Sequence, residues 1–60
     1  MPQEILQDFI GKECIITILM RKKMKGKITK VEGFWVEVED EKSRRVINGS
    51  TIRDIITYEK

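Results

Sequence analysis

Residues 13–39 read ECIITILMRKKMKGKITKVEGFWVEVE, and this stretch decides the fold. β-Branched residues and a period of two mark strands rather than helix. The spacing predicts strands over about 13–20, 24–31 and 34–39. In the first, Cys14, Ile16, Ile18 and Met20 face one way while Ile15, Thr17 and Leu19 face the other, so it is apolar on both faces. Arg21-Lys22-Lys23 forms the first turn and Glu32-Gly33 the second. Gly26 falls within the second strand, where a missing side chain permits a sharp bend. In the third strand Phe34, Val36 and Val38 point inward, and Trp35, Glu37 and Glu39 outward.

Working outward, Asp40 to Ser43 and Asn48-Gly49-Ser50 are polar turns that separate two further strands, over about 44–48 and 51–58. Upstream, Ile5, Leu6, Phe9 and Ile10 gather on one side of a short helix over about 2–10. Pro2 suits its first position and Gly11 stops it. Connections this short require antiparallel pairing, since parallel crossovers need a dozen residues or more. The expectation is one mostly β domain, residues 1–60: a helix on a strongly bent, five-stranded antiparallel SH3-like barrel.

A 60-residue chain buries only roughly 60% of the surface its unfolded form exposes, so its stability needs support. One cysteine allows no internal disulfide, and one cysteine with no histidine gives no zinc-ligand spacing. Self-association is the remaining support, and a homo-oligomer is expected. Cys14, set among isoleucines, reads as a core residue in a reducing compartment. The first residues, MPQEILQDFI, contain no apolar run with the length of a signal segment or a membrane span, so the protein is expected to be cytoplasmic and free of membrane.

Catalysis is not expected. There is no histidine, both serines lie in turns, the carboxylates sit on solvent-facing positions, and no glycine-rich phosphate loop is present, so neither cofactor nor metal is expected. Twelve Lys and Arg against ten Asp and Glu leave a net charge of only +2, but the cations are clustered. Six of the ten residues from Arg21 to Lys30 are basic. That run is either a solvated face or a rim that meets phosphates.

Two places give the whole chain a likeness to a known family. Gly26 followed by Ile28, Val31 and Glu32 resembles the first Sm motif, and Ile47-Asn48-Gly49 followed by Ile52 and Ile55 resembles the Ile-Arg-Gly step of the second. The chain thus resembles the Sm-like family, which includes the Sm and LSm proteins and bacterial Hfq. The resemblance implies a helix on a bent five-stranded barrel, and rings of about five to eight subunits in which the fourth strand pairs with the neighbour's fifth. It places the subunit contact on Val46, Ile47, Ile55 and Thr57. It also implies single-stranded RNA as ligand, held by the loop after the second strand and the loop after the fourth. Those loops fall here on Glu32, Gly33, Phe34 and Trp35, and on Asn48 and Gly49. The hairpin is about one residue shorter than the family's, with Trp35 where Asn is usual, and Asn48 stands where Arg is usual.

The site residues expected for RNA are therefore Trp35, Asn48 and Gly49 for bases, with Arg21, Lys22, Lys23 and Lys25 for phosphates. Two other readings stand beside this one: a protein-interaction module with a groove lined by Trp35 and Tyr58, and a purely structural oligomeric scaffold. Ile15, Leu19, Trp35, Ile47 and Ile55 fall on the outer face by simple alternation. They are buried beneath the helix, belong to a second side of the core, reflect a slip in the assumed strand register, or form a subunit interface.

Overall fold

A computed structural model describes residues 3–58. It contains a short helix, α1 (Gln3–Gln7), and five strands: β1 (Glu13–Ile18), β2 (Lys23–Glu32), β3 (Trp35–Glu39), β4 (Arg44–Asn48) and β5 (Ile52–Thr57). The strands form one antiparallel sheet in the order β4-β3-β2-β1-β5. β4 and β5 thus stand at opposite ends of the sheet, yet only a 3-10 turn, Gly49–Thr51, joins them. The end strands of a flat five-stranded sheet are about 19 Å apart, whereas a three-residue 3-10 turn advances only about 6 Å. The sheet must therefore curl, and the molecule measures 24 × 23 × 22 Å.

Gly26 makes part of that curvature. A Cβ there would lie 2.7 Å from Val38 Cγ1 and 3.0 Å from the Glu39 carbonyl oxygen, so β2 and β3 approach more closely than any side chain permits. The curled interior holds Leu6, Cys14, Ile16, Ile28, Val36, Val38 and Ile52, all buried, with Phe9, Ile18, Met24, Val31, Ile47 and Ile55 packed against them.

α1 is shorter than the expected helix, and Pro2 lies outside the described residues. A helix of five residues has no stability of its own; Leu6, 2% exposed, anchors it to the core. Ile5 and Ile10 remain half exposed. β1 begins at Glu13, opposite Lys27, which leaves the next stretch of β2 open on that side. The chain leaving α1 fills the opening: Gly11 N–H donates to the Ile28 carbonyl (2.7 Å), and Ile28 N–H donates to that of Lys12 (3.4 Å). Gly11 takes φ +87° to make the corner.

Three expectations are corrected. The first strand stops at Ile18 rather than Met20, because Met20 and Arg21 turn into the left-handed region (φ 65° and 59°). Phe34 is not a core residue. Glu32 pairs with Trp35, so the two-residue loop is Gly33-Phe34, with positive φ at Gly33 alone as in a type II′ turn, and Phe34 is 76% exposed at its tip. Ile47 and Ile55 are not outward. Ile47 pairs with Val36 and Ile55 with Ile16, which places both on the core side.

Candidate nucleic-acid interface

The β1–β2 connection carries the expected phosphate contacts. Leu19–Arg21 form a tight 3-10 turn closed by Ile18 N–H donating to the Lys22 carbonyl (2.8 Å). Two consecutive non-glycine residues at positive φ cost of order 1–3 kcal/mol each. They hold Leu19 (57% exposed) and Met20 (89%) out of the core, beside exposed Arg21, Lys22 and Lys23.

A second irregularity faces this turn. Thr17 pairs with Asp54 and Ile18 with Ile52, so Arg53 is an extra residue on β5, a bulge that changes where its neighbours point. Thr17, Arg21, Lys23, Arg53, Asp54 and Ile56 line a concavity of about 280 Å³. None of Arg21, Lys22, Lys23 and Arg53 has an ion-pair partner among the described residues, whereas Arg44 is paired to Glu37 and Glu39, and Lys30 to Glu32.

The expected base contacts lie elsewhere. Trp35 (55% exposed) sits directly across from Asn48 in the β3–β4 register, and Gly49 N–H donates to the Phe34 carbonyl (2.6 Å). The fold therefore brings Trp35, Asn48 and Gly49 together with Phe34, as expected of the two loops. The roles of two of them change, however. Asn48 Oδ1 accepts from Ser50 N–H (2.9 Å) and Ser50 Oγ (2.7 Å), capping the turn into β5. Gly49 is buried, and a Cβ there would come within 3.2 Å of the Phe34 carbonyl oxygen and 3.3 Å of Leu6 Cδ1. Both residues are explained by local structure, which leaves Trp35 and Phe34 as the accessible groups of this cluster.

The cationic turn and the aromatic hairpin are not one site. They occupy opposite ends of the ten-residue β2. Lys25 is separate again: with Lys27, Glu39, Lys42 and Tyr58 it borders a wide concavity of mixed charge near Gly26. Trp35 does not border that concavity. Of the expected subunit contacts, Val46 is 55% exposed on end strand β4, Ile47 and Ile55 are half-buried against the core, and Thr57 Oγ1 donates to the Glu13 carbonyl (3.1 Å).

No family model, curated protein or solved structure matches the chain.

Nothing in the described residues groups three or more His, Cys, Asp or Glu to hold a metal ion, and no helix is long and apolar enough to cross a membrane. One carboxyl is held below its ordinary value. Asp40 accepts from Lys42 N–H (2.8 Å) and Ser43 N–H (2.7 Å), which favour its charged form, but it lies in the β3–β4 turn and shapes that turn. Sequence reasoning missed Arg53, Thr17 and the outward tip Leu19-Met20. Arg53 is an isolated cation in the sequence, and only cross-strand register places it beside Arg21.

Proposed function

We propose that the chain is a non-catalytic, Sm-like barrel that assembles into a ring and binds single-stranded RNA. The observation that carries this reading is the sheet order, with its end strands β4 and β5 drawn to one corner by a three-residue turn. A sheet curled this way presents two strand edges on one molecule, and β4 of one copy pairs with β5 of the next until the ring closes. Exposed Val46 on β4 then loses its exposure to water. RNA phosphates meet the cations of the β1–β2 turn, Arg21, Lys22 and Lys23, with Lys25 further along β2. Trp35 makes a separate stacking contact at the other end.

The test is titration with short uridine-rich and adenine-rich RNAs at two salt concentrations. Lys22→Glu combined with Lys23→Glu lowers affinity for all sequences and flattens the salt dependence. Trp35→Ala weakens binding by about 1–3 kcal/mol without dissociating the oligomer. Unchanged titrations for both variants remove the site assignment. A scaffold ring without RNA is the second reading, favoured by Glu32, which stands directly opposite Trp35 and repels phosphate.

A further inference from the structure

The bulge at Arg53 lies on β5 and the left-handed pair Met20-Arg21 in the β1–β2 turn, and each costs backbone regularity, yet Arg53 and Arg21 border the same 280 Å³ concavity. Neither serves the core: Arg21 and Arg53 are exposed, and Met20 is 89% exposed. Backbone irregularities that converge in this way mark a place where side chains are positioned for a ligand.

What they position is one hydroxyl and three cations. Thr17 is 9% exposed and borders the concavity, but its hydroxyl has no hydrogen-bond partner among the described residues. No sealed side-chain oxygen or nitrogen among the described residues lacks a partner, so the Thr17 hydroxyl keeps access to solvent. Among the described residues, Arg21, Lys23 and Arg53 border the concavity without ion-pair partners, and Asp54 is the one carboxylate on the rim. A solvent-accessible hydroxyl on a mostly buried residue, sharing a concavity with guanidinium and ammonium groups, suits a tetrahedral anion.

We infer that Thr17, Arg21, Lys23 and Arg53 form a seat for one backbone phosphate of the bound strand, with Met20 and Leu19 lying against the adjoining sugar and base. The inference rests on the RNA reading and adds to it a defined subsite and a residue, Arg53, that contributes as much as Arg21. Asp54 limits the seat to a phosphate that brings apolar contacts with it, so a free anion binds more weakly than the strand.

The intact chain, isotopically labelled, is titrated with a short uridine-rich RNA, with inorganic pyrophosphate, and with phosphatidylserine vesicles, alongside Arg53→Gln and the near-isosteric Thr17→Val. The expected result is that both RNA and pyrophosphate shift the resonances of Thr17, Arg21 and Arg53. Arg53→Gln then weakens RNA about tenfold and lowers the salt slope by about one, while Thr17→Val weakens pyrophosphate without changing the fold. RNA binding that is equal in wild type and both variants overturns the seat and leaves the RNA reading standing. Pyrophosphate shifts at these residues with no RNA binding support the seat and overturn the RNA reading. Vesicle binding without any response to pyrophosphate overturns the seat.

Discussion

Two residues set the chain's local geometry against its intrinsic preferences. A Cβ at Gly26 would lie 2.7 Å from Val38 Cγ1 and 3.0 Å from the Glu39 carbonyl oxygen, and the second obstacle is backbone, which cannot swing aside. Gly26→Ala is therefore expected to lower stability by about 2 kcal/mol, seen as a lower urea midpoint. Met20 is the opposite case: a residue in the left-handed region that nothing in the fold's interior rewards. Met20→Asn, with a side chain that tolerates positive φ, raises stability by about 0.5–1 kcal/mol. An unchanged midpoint shows that the turn holds no strain. Gly26 was legible in the sequence, since a glycine in a strand pattern signals a bend. The left-handed pair was not, because Met20 and Arg21 carry none of the Gly, Asn or Asp that announce positive φ. Phe34 misleads for a related reason. It continues the alternation of Val36 and Val38, and only the choice of Gly33 as first loop residue moves it to the tip.

At the scale of elements, the stability of α1 comes from the sheet it lies on. Leu6 supplies the burial, so Leu6→Ala is expected to cost about 3 kcal/mol and to release the helix together with the Gly11–Lys12 bridge to Ile28. Amide exchange at Gly11 measures that release; protection equal to wild type contradicts it. The β3–β4 turn depends on charge instead. The backbone N–H bonds of Lys42 and Ser43 hold the Asp40 carboxyl below its ordinary 3.8. Its folded value is depressed, so its stabilisation is complete above the unfolded value and is lost as pH falls through the lower, folded one. Asp40→Asn removes that acid-side dependence, and a carboxyl resonance of Asp40 that titrates at or above 3.8 contradicts the geometry. Strand positions were legible because alternation is a local signal. The β5 bulge was not, because it exists only relative to β1, and with it went Arg53.

For the whole molecule, the two end strands are the dominant fact. A 60-residue chain of marginal expected stability leaves β4 and β5 at the ends of its sheet, with Val46 and Ile56 exposed. In the proposed ring, pairing those strands between copies would cover the edges and stabilise each subunit, and the melting temperature is then expected to fall on dilution. The sheet's five strands and their antiparallel pairing followed from the sequence, and their order did not. The candidate site followed only in part: the cation run at the β1–β2 turn was foreseen, but not the register that sets Trp35 opposite Asn48. The distance between the two groups was not, because it depends on which end of β2 each occupies. The most direct measurement is the solution mass by light scattering, with and without short uridine-rich and adenine-rich RNAs. A particle of about five to eight subunits that gains mass with RNA is the predicted result; a monomer indifferent to RNA contradicts both the ring and its ligand.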